Sequence, residues 1–327
     1  MPGRFIKISS IFTSSKEMPP LDTVERKSPQ KSTFILGVGA QKSGTSWLSE
    51  YFALHPQIAF SPIKELHVWD QYIPKENGYS APKRAQARFD MLARKYLERN
   101  LRRFKPKEEC TDQRVLNWVY NLDRRSALID RLSMNDDIEA YFDHFKRLSK
   151  AEHCACGEIT PEYALIPMEI MEKIGRLMES RFEKLKVVFL MRDPVERLWS
   201  NMKHDFRRNR GRLPSLSWKS RMQDLETINR SRYNTTCEVL DRSFGSENVK
   251  YLFFEDLFCE GTIRDLCNFL EIDYFNPGVE FFQLAVKSGI QDDMPAEFLL
   301  EARVELDDVY RYIRYRFGAF APKGWRW

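Results

Sequence analysis

The segment FILGVGAQKSGTSW, Phe34 to Trp47, sets a lysine and three hydroxyl side chains between an apolar run and the start of a helix. Gly37, Gly39 and Gly44 permit tight turns and a close approach of backbone to ligand. The first turn of the following helix offers unpaired N–H groups at the positive end of its dipole. The chemistry implied is phosphate binding. A nucleoside-triphosphate loop requires glycine, four residues, then glycine, lysine and a hydroxyl residue. Gly39 and Gly44 keep that separation, yet Thr45 stands where the lysine belongs and the lysine falls at Lys42. With no acidic strand end suited to magnesium, the loop reads as a cradle that works without a metal.

A second segment, LKVVFLMRDPVERLWS from Leu185 to Ser200, has the same plan. Its aliphatic run suits a buried parallel strand, and Asp193 followed by Pro194 is a helix start signal. Arg192 therefore lies at a strand's carboxyl end, where ligands bind in open α/β sheets. Ser200 follows eight residues later, roughly two helical turns on. Two such strand-to-helix junctions can face one ligand.

Together QKSGTSW and RDPVERLWS resemble the two nucleotide-binding segments of the sulfotransferases that use 3′-phosphoadenosine 5′-phosphosulfate (PAPS). The resemblance runs from about Thr33 onward. It implies that Lys42, Ser43, Gly44, Thr45 and Ser46 bind the 5′-phosphosulfate end, that Arg192 and Ser200 hold the 3′-phosphate, and that Trp47 also belongs to the cofactor site. Lys287, Ser288 and Gly289 stand where relatives close a loop over the cofactor. KELHVWD resembles a Glu-x-His-x-x-Asp pattern of the branch with heparan sulfate sulfotransferases and bacterial relatives, which supplies Glu65, His67 and Asp70. By that resemblance Glu65 is the expected base, His67 the reserve base and Asp70 an orienting group, with Lys42 stabilising the leaving group. Were residues 64 to 68 extended, Glu65 and His67 would share one face. GEITPEY, Gly157 to Tyr163, resembles a strand-and-turn segment of the same branch. Ile159 stands where glycan-modifying members often carry lysine, a departure that points away from a heparan-like substrate.

These motifs need a scaffold that brings strand ends together. The 327 residues, 43% hydrophobic, can build one large core. Strands alternating with helices predict an α/β, P-loop-like fold of three layers, a central parallel sheet flanked by helices. The expected organisation is a mobile tail over 1–32 and a catalytic domain over 33–327. A helical insertion at about 72–155, with one helix from Lys83 to Phe104 and another carrying Ile138, Tyr141, Phe142 and Phe145, is expected to roof the acceptor site. A last helix is predicted from about Pro295 to Phe317, stopped by Gly318.

A net charge of +5 suits an anionic cofactor and falls short of a nucleic-acid footprint. Cys154 and Cys156 beside His153 do not form a paired CxxC framework, so no metal site is expected there. No apolar run spans a bilayer, which favours a cytoplasmic protein over an excised luminal catalytic domain. The partner expected is a hydroxyl-bearing acceptor, a saccharide or other alcohol, and the sequence does not fix the oligomeric state. Two competing readings are a nucleotide kinase or other phosphotransferase, against which the misplaced lysine argues, and a catalytically silent nucleotide-binding relative.

Overall fold

The computed structural model describes residue 18 and residues 30–74, 126–209, 214–283 and 293–325. The predicted helix from Lys83 to Phe104 and the Lys287, Ser288, Gly289 segment lie outside the described residues, as does nearly all of the predicted tail. Five strands form one sheet in the order β2-β3-β1-β4-β5. They are β1 (Gln30–Gly39), β2 (Ile58–Phe60), β3 (Ala155–Ile159), β4 (Phe182–Met191) and β5 (Val249–Phe253). Every pairing is parallel, as expected of a P-loop-like α/β fold.

Seven helices carry most of the packing and are numbered here in chain order: α1 (Thr45–Leu54), α2 (Glu139–Leu148), α3 (Met168–Glu179), α4 (Pro194–Asn209), α5 (Tyr233–Phe244), α6 (Glu260–Leu270) and α7 (Asp307–Phe317). Successive side chains of β1 point to opposite layers, as strand geometry requires. Phe34, Leu36 and Val38 pack with Tyr141 and Phe145 of α2, Ile174 and Met178 of α3 and Leu240 of α5. Ile35 packs with Trp47, Leu48 and Tyr51 of α1 and with Ile263 and Leu266 of α6. Gly37 is fixed by this second layer rather than by a turn, because a Cβ there would stand 2.3 Å from Cγ1 of Ile159. Ile159 is thereby a core residue.

Central β1 and β4 align so that Gly39 pairs with Phe189, and the Ala40 N–H donates to the Leu190 carbonyl at 2.6 Å. Both strands end at the same edge of the sheet, so the loops leaving them are neighbours. Asp193 caps α4 as its sequence position predicts: Oδ1 accepts from the N–H groups of Val195 and Glu196, each at 3.0 Å, and from the Tyr310 hydroxyl at 2.8 Å.

The expected continuous helix from Pro295 to Phe317 is instead two helices, Ala296–Glu305 and α7. Leu306, fully buried, leaves the helical region between them at φ −109° and ψ 16°. Asp307 and Asp308 then supply first-turn carboxylates for a fresh start. Gly318, at φ 52°, stops α7 as anticipated.

Candidate active site

A cavity of about 680 Å³ opens at the carboxyl edge of β1 and β4. The β1–α1 loop contributes Gln41, Lys42, Gly44, Thr45, Ser46 and Trp47, and the β4–α4 junction contributes Arg192, Glu196, Ser200, Lys203 and Arg207. Thus the two sequence segments meet on one cavity, as do Glu65 and His67. Ser43 differs: it is fully buried and lines none of the cavity, its N–H turned back to the Ala40 carbonyl at 3.2 Å.

Gly44 is the residue before α1 and sits at φ 94°, where a side chain would strain the backbone and a Cβ would collide with Leu257. No side chain caps α1, and its first turn carries no acidic residue. Its orphan N–H groups remain suited to an anion. Cations surround that point. Burial lowers the Lys42 ammonium from 10.5 to about 8, and the charges of Arg207, Lys64 and Arg192 add to the effect. Such crowding of like charge is the electrostatic signature of a site shaped for an anion. Arg192 also lies over the Phe254 ring, its guanidinium carbon 4.7 Å from the centroid.

The same cavity is lined by Glu65, His67 and Glu162, with Glu65 paired to Lys64 at 3.5 Å. Oε2 of Glu65 lies 3.9 Å from Nε2 of His67, and Oε2 of Glu162 lies 3.8 Å from the same nitrogen. Burial alone would lower the His67 pKa, but the charge and hydrogen bond of Asp70, 2.7 Å from Nδ1, outweigh it, with help from Glu162 and Glu65. The result is a rise from 6.5 to about 9. Glu162 in turn pairs through Oε1 with Arg230 at 3.4 Å and accepts from Gln41 at 3.2 Å.

The loop bearing Glu65 and His67 is not the extended segment that the sequence suggests. Glu65 has φ 61° and His67 φ 53°, both left-handed, so a tight turn rather than strand alternation brings them together. Lys42, at φ 72°, shares that strained backbone. Each such residue costs about 1–3 kcal/mol and persists only where its surroundings hold it.

The surroundings are polar and buried. The Leu66 N–H donates to Oε2 of Glu158 at 3.3 Å, the His67 N–H to Oγ1 of Thr160 at 3.5 Å, and the Val68 N–H to the Tyr163 hydroxyl at 3.1 Å. From the other side Arg131 donates through Nε to the Leu66 carbonyl and through Nη2 to the His67 carbonyl, the latter at 3.0 Å. Glu158 itself is locked by the hydroxyls of Tyr141 and Tyr163 at 2.9 Å and of Thr160 at 2.6 Å. Desolvation raises its pKa against those donors. Arg131 and α2 belong to the segment expected to roof the acceptor site, and this described part of it buttresses the loop from behind.

The sequence reading did not single out Glu158, Glu162, Arg230, Arg131 or Phe254. Strand parity offered one signal: in GEITPEY, Glu158 and Ile159 must face opposite layers, so a buried carboxylate was implied. Arg230 and Arg131 carried none, since only the tertiary fold brings them near.

A model of the sulfotransferase family matches residues 34–277. The chain belongs to the sulfotransferase family. Among solved structures, this sulfotransferase resembles the Alicyclobacillus acidocaldarius sulfotransferase, with a TM-score of 0.51 and 20% identity over 86% of this chain and 94% of that one. It is also similar to the sulfotransferase domain of the Synechococcus PCC 7002 olefin synthase, with a TM-score of 0.41 and 16% identity over 88% and 98% of the two chains. No curated protein matches it. In this sulfotransferase no helix among the described residues is long and apolar enough to cross a membrane.

The loop scaffold yields a prediction. Glu158→Gln can accept fewer of the four donors now bound, so this sulfotransferase should lose about 2–4 kcal/mol of stability in denaturant unfolding. Unchanged stability would mean that Glu158 does not hold the loop.

Proposed function

We propose that this sulfotransferase moves a sulfuryl group from PAPS to the hydroxyl of an acceptor, a carbohydrate or other alcohol. The observation carrying this reading is the convergence of Lys42, Arg192, Lys64 and Arg207 on one cavity that Glu65 also lines. The residues fit the nucleotide by chemistry: a cationic patch for phosphates, uncapped N–H groups of α1 for an anion, and the Phe254 and Phe258 rings on the same cavity wall. PAPS, when bound, supplies the activated sulfuryl group.

Lys42 and the backbone N–H groups of residues 44–46 would hold the 5′-phosphosulfate end, and Arg192 with Ser200 would hold the 3′-phosphate. Glu65, a quarter exposed and facing the cavity, takes the proton of the acceptor hydroxyl. Lys42 steadies the negative charge that grows on the leaving oxygen. His67, bonded to Asp70 on one side and near Glu65 on the other, orients the carboxylate. The Arg131 and Glu158 network keeps the loop from relaxing, so that the base stays aligned.

Two measurements follow. Glu65→Gln should lower turnover by roughly 10²–10⁴-fold while adenosine 3′,5′-bisphosphate still binds in calorimetry. Unaltered turnover would eliminate Glu65 as the base. The second concerns pH. Lys42 is charged below about 8, and an anion favours its charged form, so affinity for adenosine 3′,5′-bisphosphate should fall as pH rises above about 8. Lys42→Met should bind more weakly and lose that dependence; a dependence that survives the substitution would assign it to another group.

A further inference from the structure

Three donor atoms, Oε2 of Glu65, Nε2 of His67 and Oε2 of Glu162, lie within 4.8 Å of one another. The gaps of 3.9 Å and 3.8 Å from His67 to the two carboxylates are ion-pair distances, longer than hydrogen bonds. They match donors on a shared ion, since ligands bound at about 2.0–2.2 Å stand roughly 3–4 Å apart.

Each donor group is also held from behind. Asp70 sits 2.7 Å from Nδ1 of His67, which directs Nε2 toward the carboxylates. Lys64 lies 3.5 Å from Oε1 of Glu65, and Gln41 and Arg230 engage Oε1 of Glu162 at 3.2 and 3.4 Å. In both glutamates one oxygen is engaged and the other turns to the common point. The Glu162 side chain is nine-tenths buried, and its Oε2 has no hydrogen-bond partner. Apart from its ion pair with His67, that buried oxygen is left for a bound cation to satisfy. A histidine whose second nitrogen is bonded to a carboxylate is the usual arrangement around a bound metal, and the metal takes the place of the proton on Nε2 of His67, which is released to solvent.

We propose that Glu65, His67 and Glu162 form a three-donor site for a divalent transition metal, whose binding blocks sulfuryl transfer by engaging the oxygen of Glu65 that receives the acceptor proton. One nitrogen and two carboxylate oxygens suit Zn²⁺, Mn²⁺ or Fe²⁺. The inhibitory consequence rests on Glu65 being the base; the site itself does not.

Calorimetric titration of the full chain with Mn²⁺ should give one site per chain. Asp70→Asn should weaken it roughly 10–100-fold, and Glu162→Gln, which keeps the side chain's shape and its contact with Arg230, should abolish it. Circular dichroism on both variants would verify folding. With PAPS and an accepted alcohol, turnover should fall as Mn²⁺ occupancy rises and return when a chelator is added. Absence of stoichiometric binding, or equal binding by the folded Glu162→Gln chain, would overturn the site. Full turnover at saturating Mn²⁺ would overturn the inhibitory role. Binding of adenosine 3′,5′-bisphosphate, measured separately, tests the sulfotransferase reading independently of the metal.

Discussion

Parallel pairing of β1 with β4 is the constraint on which the site depends. Because the two strands run the same way and end at the same edge, the loop after Gly39 and the junction after Met191 have no choice but to be neighbours. Lys42 and Arg192 are thereby forced to share a cavity, together with Lys64 and Arg207. A chain selected for stability alone would separate such charges. Burial and repulsion here lower Lys42 to about 8, an electrostatic strain that a multiply charged anion would relieve. Fold stability and ligand binding are coupled through this cluster, since whatever neutralises it stabilises the sheet edge.

The acidic wall of the cavity has a different origin. Glu65 and His67 sit on left-handed backbone, an unfavourable state for residues with side chains. The cost is met by a buried polar frame in which Glu158, Thr160 and Tyr163 accept the loop's N–H groups and Arg131 donates to its carbonyls. These contacts come from β3, the turn after it and the helix over 126–133, so the loop is fixed by the core rather than by its own sequence. Neighbouring Glu162 is held instead by Gln41 and Arg230, both on its other oxygen.

Much of this was legible in the residues. Aliphatic runs ending in Gly-rich or Arg-Asp-Pro turns announced buried parallel strands feeding helices, and the Asp193 cap formed as its position implied. Placing Lys42, Arg192 and Ser200 together required only that two such units be adjacent, which parallel α/β topology makes common. The loop from Lys64 to Val68 was not legible, because its conformation is dictated by Arg131 and Glu158, far away in sequence. The break at Leu306 escaped notice for a related reason: helical periodicity continues through it, and only burial of that leucine reorients the chain. Gly37 reads as a turn residue from the sequence alone because its neighbour Ile159 lies on another strand.

In the proposed complex the two junctions grip opposite ends of one doubly phosphorylated adenosine. Calorimetry on Arg192→Met with two ligands, adenosine 3′,5′-bisphosphate and adenosine 5′-phosphate, tests it most directly. A lost charge-assisted contact of about 1.5–3 kcal/mol should weaken the bisphosphate by roughly 10–100-fold and leave the 5′-monophosphate unchanged. Equal weakening of both ligands, or of neither, would contradict it.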